Sequence, residues 1–343
     1  MSARGVLIIG SGKRVREAGL PALHRLPQDF EVRMVLARTA KELEADGRTY
    51  AVHAIDRLDA AALDGVGLVY LAVTKNAVPD VLRRLATLDV GGVDLLIDTP
   101  VVRFKHFRHI ALLDAFRAAW VAEDCAYLPW LDPVRKAVAA GAIGEVEGAL
   151  FYQSAYAYHG VATAKALLGD TRVKRARRRK MEKGFGLREL QLAGGKGAWI
   201  FEPRDYSVGR VALLGRSGSI ADFEHDGPGH LQLSPVVEDG DVTGLRLGDE
   251  VTAFDDDEVQ LLRGDAPELG LTARMDALKR VGFLRLLRAI AAGRGGYPID
   301  DAIDDMVVDY YLEKLGRYLA TPLTESRSGI ARGLLKLVTR AGG

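Results

Sequence analysis

The sequence predicts an α/β fold, with a doubly wound parallel sheet at the N-terminus and a second α+β domain whose sheet is mostly antiparallel. Three observations predict it. Over the first 125 residues, short apolar and β-branched runs alternate with helical patterns. After Glu145 the texture changes to strand-like pieces separated by turn clusters such as "HDGPGH" and "EDGDVTG". The 343 residues exceed one average domain, and with 48% hydrophobic and 27% charged residues they can fill two cores.

The elements follow in order. Runs at 5–10, 31–37, 66–73, 93–98 and 120–123 have the continuous apolar character of strands buried on both faces. Helical patterns at 14–25, 40–46, 78–87 and 105–118 separate them. "LPWLDPVRKAVAAGAIGEV" gives another helix, stopped near Gly141 and Gly144. "EVEGALFYQSAYAY" reads as one long strand that places Tyr152, Tyr156 and Tyr158 on one face. Further strands are expected at 217–224, 231–237, 243–254 and 258–262. "ARMDALKRVGFLRLLRAIAAG" and "DDAIDDMVVDYYLEKLGRYL" read as late amphipathic helices. The expected division is 1–125 for the first domain and 126–343 for the second. No internal repeat is evident.

A formal net charge of +1 gives the chain no overall attraction to polyanions, so nucleic acid is not an expected partner. The single cysteine, Cys125, cannot form an intramolecular disulfide and reads as a small buried hydrophobe in a reducing compartment. No Cys/His cluster calls for a metal. The apolar run at the start reaches Gly10 after a few residues. That is too short to span a membrane and lacks the parts of a signal peptide, so a cytoplasmic protein without membrane contact is expected.

The stretch "VLIIGSGKRV" is a buried strand running into a glycine turn. Gly10 permits the tight turn. Gly12 lets the backbone approach a pyrophosphate at the N-terminus of the next helix, where free N–H groups and the helix dipole favour an anion. Ser11, Lys13 and Arg14 belong to the same turn and helix start. Val15 stands where the G-x-G-x-x-G pattern of a Rossmann domain has its third glycine, whose role is close strand–helix packing rather than phosphate contact. In NAD-binding domains an acidic residue usually ends the second strand and binds the ribose hydroxyls. Here the candidate positions hold Ala37, Arg38 and Thr39. With no carboxylate to repel a 2′-phosphate and Arg38 able to pair with one, NADP is the expected cofactor and NAD the alternative. Arg38 as a plain solvated loop cation is the competing reading.

Several stretches together resemble one family, the glucose–fructose oxidoreductase/inositol dehydrogenase/rhizopine catabolism (Gfo/Idh/MocA) oxidoreductases. "GVLIIGSGKRVREAGLPAL" is similar to the family's opening, and "VYLAVTKNAVPDVL" to its fourth strand and the loop after it. "LLIDTP" sits where the family has Glu-Lys-Pro. "VAEDCAYLPWLDPVRKAVAAGAIGEV" is the most specific match, and "FLRLLRAIAAGRGGYPIDDAIDDM" resembles the closing helices. The resemblance covers most of the chain and is thin between Gly160 and Gly195. It implies a Rossmann domain, then an open, largely antiparallel sheet domain, a cofactor between the two, and a homodimer or homotetramer. It also places Val73, Thr74, Lys75, Asn76, Asp98 and Pro100 with the glycine turn as cofactor-binding residues.

The chemistry departs from the family's pattern. By the resemblance, Thr99 occupies the position of the family's catalytic lysine and Asp205 that of its histidine, with Phe201 at the histidine's usual acidic partner. The lysine orients substrate, and the histidine is a general acid/base suited by a pKa near working pH. Both proton-handling groups are therefore changed. The candidate catalytic residues become Asp205, Tyr206, Tyr158 and Thr99. Each has a plainer reading: Asp205 as a helix cap, the tyrosines as packing residues. His159 is a further candidate, with a surface loop histidine as its alternative. An arginine-rich span from Arg172 to Lys180 could meet an anionic ligand or form a solvated edge. "SRSGIARGLLKLVTRAGG" reads as a basic amphipathic helix packed on the body or on a partner subunit. The expected function is an NADP-dependent oxidoreductase acting on a carbonyl or imine of a small, anionic substrate. The alternative is a nucleotide-binding protein that has lost the chemistry.

Overall fold

Val6, Leu7, Ile8 and Ile9 have no exposed surface, because the strand they form, β1 (Arg4–Ile9), lies between two parallel neighbours. A strand covered on both faces has no use for polar alternation. The computed structural model describes residues 3–152, 154, 157–170, 172–181, 185–202, 210–263 and 275–325. It divides the chain into two units. The first comprises residues up to Asp124 together with Phe283–Ile303, and the second comprises Cys125–Gly282 together with Asp304–Glu325.

The sheet of the first unit is built from β1, β2 (Phe30–Ala37), β3 (Lys41–Ala45), β4 (Arg48–Ala54), β5 (Val66–Leu71), β6 (Asp94–Ile97), β7 (Ala118–Val121) and the late strand β17 (Tyr297–Pro298). Its order is β17-β7-β6-β5-β1-β2-β4-β3. The interior pairs are parallel, and β3 and β17 are antiparallel edges. Ile9, Leu71, Ile97 and Val121 pair in one row, so the strands end together and the loops after them gather at one edge of the sheet. That edge is where an open α/β sheet takes its ligands.

Two expected helices are replaced. Residues 40–46 are not helical but begin a hairpin of β3 and β4, turned at Asp46 (φ 51°) and Gly47 (φ 71°). Both turn residues are left-handed, as a two-residue hairpin loop requires, and Asp-Gly is its strongest sequence signal. Residues 105–118 hold a 3₁₀ segment, Phe104–Ala115, rather than an α-helix. Phe107, Ile110, Leu113 and Phe116 are all buried. Their spacing of three is the 3₁₀ period, not the α-helical one.

The second unit begins with α3 (Leu131–Ala139), following α1 (Leu20–His24) and α2 (Val78–Leu85) of the first. Its sheet contains β8 (Val146–Tyr152), β9 (Val173–Lys180), β10 (Gly186–Leu192), β11 (Gly197–Glu202), β12 (Arg210–Gly215), β13 (Ser219–Ala221), β14 (His230–Glu238), β15 (Asp241–Leu247), β16 (Glu250–Ala253) and β18 (Arg317–Leu319). The order is β16-β15-β14-β13-β12-β8-β11-β10-β9-β18. Only β8/β11 and β13/β14 are parallel among the described pairs. The fold is thus a mostly parallel Rossmann-like sheet and a mostly antiparallel α+β sheet.

The expected long strand through Tyr158 stops at Tyr152, and Tyr158 lies in the first turn of α4 (Ala157–Leu168). Gly160 through Lys165 are buried without interruption, and this Ala-rich run favours a covered helix over an alternating strand. Residues 258–262 belong to α5 (Asp256–Leu262), not to a strand. The Asp255 side chain accepts from the Glu258 N–H at 3.0 Å, and three acidic residues occupy the first turn. That is a strong N-terminal helix signal. α6 (Met275–Ala291), α7 (Ile299–Leu315) and α8 (Pro322–Glu325) complete the described chain.

The arginine-rich span is strand β9, and its charges divide between the two faces of the sheet. Arg178 stands opposite Arg188 of β10, a like-charge pairing that is unfavourable alone. Carboxylates of three residues answer it. Arg188, almost wholly buried, binds Glu202 at 2.7 Å, Asp309 at 2.6 Å and Glu313. Arg178 binds Glu202 at 2.8 Å and Glu313 at 3.2 Å. On the other face, Glu189 lies between Arg177 and Arg179. Beside them Trp199 lies over Gly148 and Gly197, where a Cβ would approach its ring within 2.6 and 2.8 Å.

Candidate functional site

The turn after β1 is fixed by its neighbours. The Gly10 N–H donates to the Leu36 carbonyl at 2.7 Å, and the Ala72 N–H donates to the Ile9 carbonyl at 2.8 Å. Gly10 has φ +132°, and a Cβ there would lie 2.0 Å from the Ala72 oxygen. The strand therefore leaves the sheet pressed against the loop after β5, and glycine alone fits. Gly12 is different: a Cβ there would meet nothing within 4 Å. Its backbone faces open space. Its carbonyl accepts from the Arg16 N–H at 3.1 Å, which opens a helix whose first N–H groups have no intrahelical acceptor.

That helix contains a π-helical turn, Val15–Gly19, before α1. Val15 is fully buried. The close approach to the sheet falls to Gly19, where a Cβ would lie 2.7 Å from the Tyr70 ring. The packing role of the pattern's third glycine is thus met four residues later. Sequence reading missed this because the signal is a glycine inside a helix, at no motif spacing.

A cleft of about 660 Å³ opens at this turn. Gly10, Ser11 and Gly12 line it from the first loop; Arg38, Thr39 and Lys41 from the end of β2 and the start of β3; Val73 and Thr74 from the loop after β5. α2 closes it with Val81 and Arg84. Arg84 is engaged, donating to the Leu58 and Asp56 carbonyls at 2.8 and 2.6 Å. Arg38 is exposed and makes no ion pair among the described residues. The Lys41 ammonium is 3.5 Å from the Ser11 carbonyl. The hairpin that replaces the expected helix at 40–46 brings Lys41 to the rim.

Arg14 is not among the residues lining the cleft. Its Nε donates to Asp98 at 3.2 Å, Nη1 to Asp124 at 2.5 Å and Nη2 to the Ala122 carbonyl at 3.2 Å, and the guanidinium stands 5.0 Å over the Phe283 ring. Burial disfavours its charge, but Asp124 and Asp98 outweigh burial and hold it protonated. Burial also raises the Asp98 carboxyl above the usual aspartate range; Arg14 opposes this and Asp124 adds to it. Asp124, fully buried, is the anchor of the group and was not singled out in the sequence.

The remaining expected residues are placed as follows. Lys13 is exposed and pairs with Glu17 at 3.6 Å. Lys75 and Asn76 are exposed in the loop after β5, outside the cleft lining. Thr99 is half-buried and joined through a cis peptide to buried Pro100. Tyr158 and His159 are half-buried neighbours in α4, with ring centroids 4.4 Å apart. Phe201 is in β11, its ring 5.7 Å from that of Tyr152. Asp205, Tyr206 and the basic segment 326–343 lie outside the described residues.

No family model matches the chain, and no curated protein matches it in sequence. Solved structures share its fold. An aldose-aldose oxidoreductase from Caulobacter crescentus, complexed with glycerol, superposes with a TM-score of 0.60 at 13% identity, covering 93% of this chain and 100% of its own. Apo scyllo-inositol dehydrogenase from Lactobacillus casei gives 0.60 at 10% identity, covering 92% and 98%. An oxidoreductase from Agrobacterium radiobacter, in complex with NAD+, L-tartaric acid and magnesium, gives 0.58 at 15% identity, covering 90% and 95%. The chain therefore has the two-sheet fold of these oxidoreductases over nearly its whole length. Among the described residues, no helix is long and apolar enough to cross a membrane.

Proposed function

We propose that this chain is a Gfo/Idh/MocA-type oxidoreductase that binds NADP in preference to NAD and acts in the cytoplasm on a carbonyl or imine of a small, anionic substrate. The cleft at the glycine turn carries the reading. Gly12 leaves room for a pyrophosphate, and the rim bears Arg38 and Lys41 with no carboxylate at the end of β2. A 2′-phosphate suits that rim, and an arginine fork suits the phosphate. Bound there, the nicotinamide would supply or accept a hydride. The protein's part is to orient the cofactor, with Ser11, Thr39, Val73 and Thr74 shaping the walls, and to handle a proton at the substrate. Asp205, Tyr206 and Tyr158 are the proposed donors.

Thr99 cannot take a proton from an alcohol near neutral pH, and an ordinary ionised aspartate is a weak base. Reduction of an activated carbonyl or imine asks less of the protein than polyol oxidation, because an iminium already carries its proton. The same threonine favours a second reading, a nucleotide-binding protein without catalysis. Assays with NADPH across a carbonyl and imine panel, and with NADP across inositol and aldose substrates, separate the readings. Carbonyl or imine turnover lowered in Asp205→Asn, with NADPH affinity kept, is expected. Robust polyol oxidation would refute the altered site, and tight NADPH binding without turnover would favour the second reading.

We also propose a homodimer or homotetramer built on the open face of the second sheet, where Tyr152, Leu214 and Leu319 are exposed. Light scattering at micromolar concentration should show it; a monomer would contradict it.

A further inference from the structure

The sheet of the second unit narrows at β13, which has three residues. Among the described residues, β14, β15 and β16 join the rest of the sheet through the parallel pairs Ser219–His230, Ile220–Leu231 and Ala221–Gln232. The backbones cross closely here: a Cβ on Gly218 would lie 2.1 Å from the Gly229 oxygen. Residues 222–229 form the loop that joins the two strands. Its start is fixed by Asp222, whose side chain accepts from the Val211 N–H at 2.8 Å.

The end of the loop is held by two histidines and one hydroxyl. Ser219 Oγ is 2.9 Å from His225 Nε2 and 3.1 Å from His230 Nδ1, and the two rings are tilted by 39° with centroids 3.8 Å apart. His230 Nε2 is 3.1 Å from the Phe223 carbonyl. The Gly227 N–H donates to His225 Nδ1 at 2.9 Å, with its backbone so close that a Cβ there would touch the ring at 2.5 Å.

One proton arrangement satisfies every contact. A carbonyl only accepts, so His230 Nε2 carries a hydrogen and its Nδ1 is the acceptor. Ser219 then donates to His230 Nδ1 and accepts from His225 Nε2. His225 Nδ1 is left bare to accept from Gly227. The chain of four bonds is complete with both imidazoles neutral.

We propose that His225, Ser219 and His230 form a pH-sensitive latch on the β13–β14 joint, closed when both rings are neutral and loosened by protonation. A proton on His225 Nδ1 would face the Gly227 N–H, donor against donor. A proton on His230 Nδ1 would turn the Ser219 hydroxyl away. Two cationic rings at this separation would repel. Glu224 on the loop is the carboxylate that acts on His230; at the loop's start Asp222 is engaged with the Val211 N–H and with Arg210 of β12. Burial, reinforced by His225, lowers the proton affinity of the His230 ring; the Phe223 carbonyl and, more weakly, Glu224 favour its protonated form without outweighing this. A histidine whose folded value is lowered binds fewer protons folded than unfolded. Its contribution is therefore full above the ordinary imidazole value and lost as pH falls from there through the lowered folded value.

Amide hydrogen exchange on the full chain tests this at about pH 7.5 and about pH 5.5, corrected for intrinsic exchange. Protection at residues 219–221 and 230–232 should fall about tenfold in the wild type, while β10 and β11 hold theirs. In the double variant His225→Phe/His230→Phe, which keeps two rings and removes both titratable imidazoles, the drop should vanish. No drop in the wild type, or an equal drop in the variant, would overturn the latch. Ring NMR titration of the wild type gives a check independent of the variant. The His230 ring should resist protonation, and its titration at the ordinary imidazole value would overturn the latch equally.

Discussion

Two cations at the glycine-turn cleft stay open, whereas four arginines of β9 and β10 are closed by carboxylates. Around the glycine turn, Arg38 has no ion pair among the described residues and Lys41 reaches only a carbonyl. In the second sheet, Arg177, Arg178, Arg179 and Arg188 all meet carboxylates. Arg14 belongs with the closed set, although it stands two residues from the cleft. The lesson is that charge density in a sequence does not locate a ligand. Arg178 of β9 and Arg188 of β10 hold their sheet to α7 through Glu313 and Asp309, whereas the exposed Arg38 beside the glycine turn has no ion pair among the described residues.

Substitutions can break this comparison. The largest effect is expected from Gly10→Val, which needs both a left-handed backbone and space already taken by the Ala72 oxygen. A loss of about 4 kcal/mol in urea unfolding is predicted, from strain and overpacking together. Arg188→Ala should follow with a loss of about 3 kcal/mol, because Asp309 would lose its arginine and Arg178 alone would be left to answer Glu202 and Glu313. If β9 and β10 are structural, nucleotide affinity in this variant should not change; a large loss of affinity would blur the distinction between open and closed charges.

The smallest effect concerns Asp98. Its folded-state pKa is raised, chiefly by burial. Its contribution to stability is therefore present below the ordinary aspartate value and lost as pH rises through the raised one. The melting temperature of Asp98→Asn relative to wild type should move in the variant's favour as pH rises from about 4 to about 6. A flat difference would mean that Arg14 fully offsets the burial.

The parallel sheet was legible because strands covered on both faces leave continuous apolar runs. The β3–β4 hairpin was hidden by "KELEA", which has helix-forming residues; Asp46-Gly47 was the deciding signal. α4 was hidden by tyrosines that happen to alternate, while the buried Ala-rich run behind them pointed to a helix. At the site, Gly10, Gly12, Arg38 and Thr39 could be read from local pattern and do meet in one cleft. Gly19, Lys41 and Asp124 could not, since their roles come from neighbours distant in sequence: Tyr70, the Ser11 carbonyl and Arg14.

The central claim is that the open charge at the cleft is for a nucleotide bearing a 2′-phosphate. Fluorescence titration of the purified chain with NADPH and NADH tests it most directly, alongside Gly12→Val and Arg38→Ala. The account predicts tighter binding of NADPH. Gly12→Val should lose both cofactors by filling the space its backbone leaves open. Arg38→Ala should weaken NADPH about tenfold, or about 1.4 kcal/mol, and leave NADH unchanged. Tighter binding of NADH, or an equal loss of both cofactors in Arg38→Ala, would contradict it.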